Sequence, residues 1–521
     1  MPNPGGGVRI VRTVGVVTIA SFASYGISFI KLAIVAAYLG ATWQMDLFLW
    51  AFALITWFAT LASASLTAVI VPVYLSLKAR DARLAQELVN SLMGWLLVIF
   101  GGVGLLLTAA APLIVPLLAV DFSPSGIRLA VQLIWLMIPS VFFTGAWGAC
   151  QSVLNAEKSF FLPAISGSLT ALCVIVSMWV SSRDLAVYAQ AVGISLGGFL
   201  QWWLLVSVLR RRRLCTGISL RWHVEGMNDV LRLIWPLLVT AAIMGLLPVI
   251  DRMMAARFSE GSISALGYAQ SLMTMSFTMF LASLQTAVLP YLSDQVANGG
   301  PVEFKRAFLP TVRTLIVTLM PISALLIVFQ RPVVQVVLQR GLFDARAAAL
   351  TAPALGAYLL GVVPMAVARV SAKGFNALQD SRSNALLGVL LYTPVKLLMN
   401  LALAMYCGYI GLALASSMAE TVTAVGMLWF MRRKLGEIRE LELVGLTAKA
   451  LLASGGAALV AWWIVNASKG SLSPLAQLLV GGSCGLLLYW LGARLLKLNE
   501  VLSLTRLGLQ FLVQQTRRTY Q

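Results

Sequence analysis

Long apolar runs separated by short polar breaks fill the chain, and the first two set the pattern. GISFIKLAIVAAYLG (26–40) is followed by the break ATWQMD (41–46) and by a second run ending in AVIVPVYLS (68–76). Runs of about twenty apolar residues cross a hydrocarbon core as helices, and about fourteen such stretches are present. They fall at 13–40, 46–75, 88–119, 127–155, 160–182, 185–209, 230–257, 264–292, 307–338, 347–376, 382–407, 408–431, 446–467 and 474–496. Turn and cap residues separate them: Asp121-Phe122-Ser123-Pro124-Ser125-Gly126, Ser259-Glu260-Gly261-Ser262, Asn298-Gly299-Gly300-Pro301 and Ser468-Lys469-Gly470-Ser471. Prolines inside the runs, such as Pro72, Pro248, Pro290 and Pro364, predict kinked helices. Gly193-x-x-x-Gly197 predicts a close helix–helix approach.

The runs repeat. Gly245 to Arg252, leading into Ala255-Ala256-Arg257-Phe258, echoes Gly26 leading into Ala36-Ala37-Tyr38-Leu39. Ala64-Ser65-Leu66 with Pro72-Val73-Tyr74-Leu75-Ser76 returns as Ala282-Ser283-Leu284 with Pro290-Tyr291-Leu292-Ser293. Leu154-Asn155-Ala156 returns as Phe375-Asn376-Ala377. The shared offset of about 220 residues predicts two copies of one unit. The expected organisation is an N-lobe of six helices (1–222), a C-lobe of six (223–437), two added helices (438–497) and an amphipathic tail (498–521). The fold class is an all-α polytopic membrane protein with two pseudo-symmetric lobes. An even number of spans per copy places their symmetry axis along the membrane normal.

Composition agrees, since 60% of the 521 residues are hydrophobic and only 11% charged. The net charge of +19 would suggest nucleic acid in a soluble protein. Here Lys and Arg gather in alternate loops, as in Lys78/Arg80/Arg83, Arg210 to Arg213, Lys305/Arg306 and Arg432-Arg433-Lys434, so no nucleic-acid partner is expected. The positive-inside rule puts those loops and both termini in the cytoplasm. The first run is too long for a signal-peptide core and contains Lys31, so it is expected to remain as a helix. Five unpaired cysteines, a single His223 and the absence of a GxxxxGK[ST] loop leave no catalytic set, metal site or nucleotide cradle to expect.

Charges inside the runs are the candidate chemistry. A charge at the bilayer centre costs about 2.5–3.5 kcal/mol, so it faces a cavity or a partner. Lys31, Asp251, Arg252, Arg313, Arg369, Lys396, Glu420 and Lys449 lie in such runs, and the set is mainly basic. Lys31 and Arg252 hold near-equivalent places in the two repeats, which predicts facing walls of a cleft suited to an anionic head group such as pyrophosphate. Lys396 and Glu420, on neighbouring helices, would neutralise each other. Arg313 and Lys449 lie near helix ends and would snorkel. Asp46 would either cap its own helix or gate the cavity.

Short stretches carry a resemblance. AIVAAYLGATWQMDLFLWAF (33–52), VVLQRGLFD (336–344), Arg369-Val-Ser-Ala-Lys373-Gly374-Phe375 and LLMNLAL (397–403) resemble segments of the MurJ/MviN lipid II flippases of the MOP exporter superfamily. Pyrophosphate or cavity contacts are expected at Lys31, Arg252, Arg369 and Lys373. Gating or charge coupling is expected at Asp46, Asp251, Lys396, Asn400 and Glu420. The resemblance implies that the two added helices line a groove for a polyprenyl tail, which Trp462, Trp463, Leu478, Leu479 and Leu486 could furnish. Of the basic cavity positions typical of the family, Lys31 is basic here, whereas the others fall at Tyr25 and near Ala59 and Ser271. Some members are thought to hold sodium near the eleventh and twelfth helices, where Lys396 would supply the positive charge instead.

The expected activity is transfer of a polyprenyl-diphosphate-linked saccharide, lipid II or a relative, to the periplasmic leaflet of the bacterial cytoplasmic membrane by alternating access. No cofactor is expected, with sodium, protons or the membrane potential as candidate driving forces. Membrane lipids and cell-envelope synthases are the other expected partners. An exopolysaccharide or O-antigen repeat-unit flippase, a cation-coupled drug exporter and a non-transporting scaffold remain as alternatives.

Overall fold

The computed structural model describes residues 4–119, 122–436, 440–468 and 471–501. Among the described residues every regular element is helical. Twelve helices are long and apolar enough to cross a membrane, or thirteen if one bent pair counts as a single span. That agrees with a polytopic membrane protein of about fourteen spans.

Two compact units divide the chain, the first being Met1–Gly267 with Arg340–Ala347. It holds α1 (Pro4–Leu39), α2 (Trp43–Arg80), α3 (Ala82–Leu118), α4 (Pro124–Ala156), α5 (Phe161–Val180), α6 (Ala186–Arg211), α7 (Met227–Ala255) and the first turns of α8 (Ser262–Val328). Local chemistry sets the starts. Asp81 accepts a hydrogen bond from Arg83 N ahead of α3, and Ser123 accepts one from Gly126 N with Pro124 opening α4. Helix α4 runs against α2, α3 and α6, and α5 against α6 and α1. Gly193 and Gly197 lie at the α5–α6 contact, where a Cβ on Gly193 would come within 2.7 Å of Val174 Cα and one on Gly197 would collide with Thr170. Gly197→Leu is therefore expected to overpack this seam and cost about 1–3 kcal/mol or more. A lowered unfolding midpoint in detergent would verify it, while Gly167→Leu, at a glycine with open space around it, should change little.

The first unit ends beyond the repeat boundary drawn at 222/223, because α7 lies along α2. Trp57 Nε1 donates to the Ala242 carbonyl at 3.0 Å, and Gly245 admits the Trp57 ring beside it. Residues 340–344 of the segment VVLQRGLFD, which resembles the family, also belong to this unit. Leu342 N donates to Ala37 O at 2.9 Å. Gly40 (φ 57°) and Gly341 (φ 58°) make that approach, where any Cβ would strike backbone.

The second unit is Tyr268–Gln339 with Ala348–Gln521. It holds the rest of α8, interrupted at Gly300 (φ 64°), and α9 (Gln330–Leu338). After them come α10 (Ala345–Leu359), α11 (Val362–Ala377), α12 (Ser381–Cys407), α13 (Tyr409–Leu435), α14 (Glu440–Ala467) and α15 (Pro474–Leu495). The stretch 347–376, expected as one span with Pro364 as a kink-former, holds α10 and α11, which bend by 43° at their break. The break has a partner. Ser417 Oγ on α13 donates to Ala357 O at 2.7 Å, satisfying a carbonyl freed at the bend, and Gly361 sits directly against Ser417. Asp380 caps α12 through Ser383 N, and the Lys434 ammonium holds its carboxyl below the usual carboxylate range.

Helices α14 and α15 pair with each other, and α15 also meets α9. Leu325, Phe329, Ala461 and Val465 form a small core there. Tyr489 Oη donates to Val317 O at 2.7 Å, and Arg313 pairs with Glu442, so this arginine is anchored in an ion pair. The amphipathic tail expected at 498–521 lies outside the described residues beyond Val501.

Candidate functional site

Asp46 lies in the first turn of α2, whose N-cap is Thr42. It is only 6% exposed, and it caps a different helix from the one expected. Its Oδ2 accepts from Gly261 N at 2.7 Å, and its Oδ1 accepts from Ser264 N at 2.6 Å and Ser264 Oγ at 2.5 Å. The carboxylate thus satisfies amides at the start of α8, where the helix dipole also favours a negative charge. Trp43 N donates to Glu260 Oε1 at 3.0 Å, adding a second tie between the α1–α2 and α7–α8 turns. A cavity of about 240 Å³ opens beside them, lined by Trp43, Asp46, Phe122, Phe258 and Glu260 among others.

Arg252 belongs to the same junction. It is 9% exposed, and its guanidinium donates to the Ile263 carbonyl at 3.0 Å. Lys31 and Arg252, which repeat position places on facing walls of a cleft, both fall within the first unit, and Arg252 braces the α7–α8 turn. Asp251 precedes it on α7, is half-buried, and has interactions of its own.

Lys31 differs from these. It sits in the membrane-spanning part of α1, half-buried, and has no hydrogen bond or ion pair among the described residues. An uncompensated ammonium at that depth needs an anionic or hydrated counterpart. Tyr25, one and a half turns earlier, is half-buried as well.

In the second unit the candidates converge on three helices. Lys396 on α12 is 3% exposed and donates through Nζ to Ser416 Oγ on α13 at 2.6 Å. Glu420, one turn beyond Ser416, lies within electrostatic reach of both Lys396 and Arg369. Arg369 on α11 is exposed, with Nη2 3.6 Å from Met365 Sδ, and Lys373 follows one turn later, half-buried. Asn400, a turn past Lys396, is fully buried. The carboxylate therefore lies within electrostatic reach of two cations, where the sequence pairs it with one. Ser416 and Ser264, the hydroxyl partners of the two sites, carry no distinctive signal in the sequence.

Among the residues expected along a tail groove, Trp462, Trp463, Leu479 and Leu486 are exposed, Trp463 by 66%. Leu478 is not: it packs against the core around Leu325 and Phe329. Among the described residues no cluster of His, Cys, Asp or Glu is arranged to hold a metal ion.

A family model described as lipid II flippase MurJ matches residues 35–480. A probable lipid II flippase MurJ of Synechocystis sp. is 26% identical over 461 residues, covering 82% of this chain and 83% of that protein. A lipid II flippase MurJ of Burkholderia cenocepacia is 25% identical over 358 residues, covering 67% of this chain and 68% of its own. The fold is similar to a solved lipid II flippase MurJ in an inward closed conformation, with a TM-score of 0.78 at 18% identity over 92% of this chain and 98% of that one. It is also similar to an inward-facing multidrug resistance MATE transporter of the MOP superfamily, with a TM-score of 0.66 at 13% identity over 80% of this chain and 98% of that one.

Proposed function

This chain belongs to the lipid II flippase MurJ family, and from that premise we propose that it moves lipid II across the membrane as a transporter with no catalytic step. The substrate is a lipid-linked glycan whose pyrophosphate carries the negative charge. The observation that supports the reading is Lys31, a cation held inside a membrane-spanning helix with no protein counter-charge among the described residues. Its role is to take the pyrophosphate for the first unit, with Arg369 and Lys373 serving the second. Lysine and arginine both bind phosphate, as a point charge and as a forked donor respectively. Arg252 and Asp46 are positioning residues that fix the α7–α8 turn. Exposed Trp462, Trp463, Leu479 and Leu486 offer the polyprenyl chain an apolar surface.

Positive-inside loops support a cytoplasmic-membrane orientation with both termini inside. In that orientation an inside-negative potential favours outward transfer of an anion by about 2.3 kcal/mol per charge per 100 mV. The cluster of Glu420, Arg369 and Lys396 is the proposed coupling element; a resident lysine there does the work of a bound cation, and a proton remains the candidate carrier. Cell-envelope synthases are the proposed protein partners.

Complementation tests the function. Expressed in bacteria depleted of their own lipid II flippase, the chain is expected to restore growth. If the protein reaches the membrane and growth still fails, another polyprenyl-linked glycan is the substrate.

A further inference from the structure

A second cavity, of about 520 Å³, lies within the first unit. It is lined by the first turns of α3 and by the connection between α6 and α7. We propose that this cavity is a binding site for a phosphate-bearing ligand, independent of the transported substrate. Arg83 from α3 and Arg221 from the connection line it, and neither guanidinium has an ion pair among the described residues. Glu87 is the one acidic residue in the lining, so the cavity keeps a net positive charge. Ser91 also lines it; this side chain is 1% exposed and its hydroxyl has no hydrogen-bond partner. A buried hydroxyl without a partner costs free energy unless a ligand or water meets it.

The walls are held in place. Asn90 O accepts from Ser219 N at 3.0 Å, and Asn90 Oδ1 accepts from Thr216 N at 3.0 Å and Gly217 N at 3.2 Å. Asn90 Nδ2 donates to Thr216 Oγ1 at 3.0 Å, and Gln86 Nε2 donates to Arg213 O at 2.6 Å. Trp95 and Trp222 meet edge to face at 4.8 Å, and Gly94 leaves no room for a Cβ against the Ser219 carbonyl. A connection fastened this closely to α3 holds the Arg221 backbone in the wall of the cavity that Arg83 also lines. Two forked donors, a free hydroxyl and a polar wall match the several acceptor oxygens of a phosphate group. The site adjoins the run Arg210 to Arg213, on the face where anionic head groups of a cytoplasmic leaflet would gather. A phospholipid head group and a free phosphate share this chemistry.

The test uses the full chain in phosphatidylcholine nanodiscs, titrated with short-chain phosphatidylglycerol, short-chain phosphatidylcholine or inorganic phosphate and read by native mass spectrometry. Phosphatidylglycerol is expected to bind, and its affinity to fall by about tenfold or more in the Arg83→Gln/Arg221→Gln double variant. Ser91→Ala, which leaves the surface intact, should weaken it by a smaller factor. Competition by inorganic phosphate at similar concentration would identify a soluble phosphate as the ligand, and failure to compete a lipid head group; both support the site. Binding unchanged within twofold in the double variant, or no binding of any of the anions, overturns it.

Discussion

Replacing Lys31 by Ala is expected to slow transport by about 10- to 100-fold while the protein remains in the membrane at normal level. The size follows from the roughly 1.5–3 kcal/mol that a hydrogen bond to a charged group contributes. The direction follows from position. Lys31 lies in the spanning part of α1 and has no hydrogen-bond or ion-pair partner among the described residues, so its removal breaks no internal polar contact. Stability should hold or rise slightly, because an ammonium at that depth costs about 2.5–3.5 kcal/mol to insert. Lys31→Arg should retain most activity, since it keeps the charge, and Lys31→Met should behave like Ala. Immunoblotting of membranes alongside the transport rate separates the two effects. Equal loss of protein and of transport would make Lys31 a structural residue.

Asp46→Ala is expected to have the second large effect, through structure. It strips acceptors from Gly261 N, Ser264 N and Ser264 Oγ in a junction where the carboxylate is 6% exposed. Leaving buried donors unsatisfied costs about 1–3 kcal/mol each, and relaxation of the turn recovers part of that. A net loss of about 2–4 kcal/mol at the junction is therefore expected. Hydrogen–deuterium exchange should show it locally, as faster exchange of residues 259–266 with α5 and α6 unchanged. Asp46→Asn should be intermediate, because it keeps one acceptor and turns the other oxygen into a donor facing a donor. No change in exchange at 259–266 would remove Asp46 from the junction.

Much of the fold was legible because a bilayer imposes a length on every helix. Turn signals such as Ser123-Pro124 announce helix starts locally, and that pair opens α4. Gly193-x-x-x-Gly197 is also a local signal, and it marks the α5–α6 contact. Pro364 in the run 347–376 announces a kink, but what makes the α10–α11 bend tolerable was not legible, because Ser417 lies on α13 about sixty residues away. The site divides in the same way. A lysine in an apolar run is conspicuous, and Lys31 sits as such a residue. The partner of Asp46 is not, because Ser264 is one serine among many and is separated from it by 218 residues. The acceptor of Arg252 is hidden for a related reason: its guanidinium donates to the Ile263 carbonyl, and only three-dimensional structure reveals that contact. Leu478 and Leu479 are adjacent and equally apolar, yet one joins a core and the other faces outward. Helix phase decides that, and an all-apolar run hides it.

The central claim is that this chain carries a pyrophosphate-linked lipid across the membrane and that Lys31 meets its charge. The most direct measurement places purified protein in vesicles containing fluorescent lipid II and follows exposure to a membrane-impermeant quencher. Protein-dependent exchange that falls about 10- to 100-fold in Lys31→Ala and returns in Lys31→Arg is the predicted result. Exchange no faster than in empty vesicles, or equal in wild type and Lys31→Ala, would contradict it.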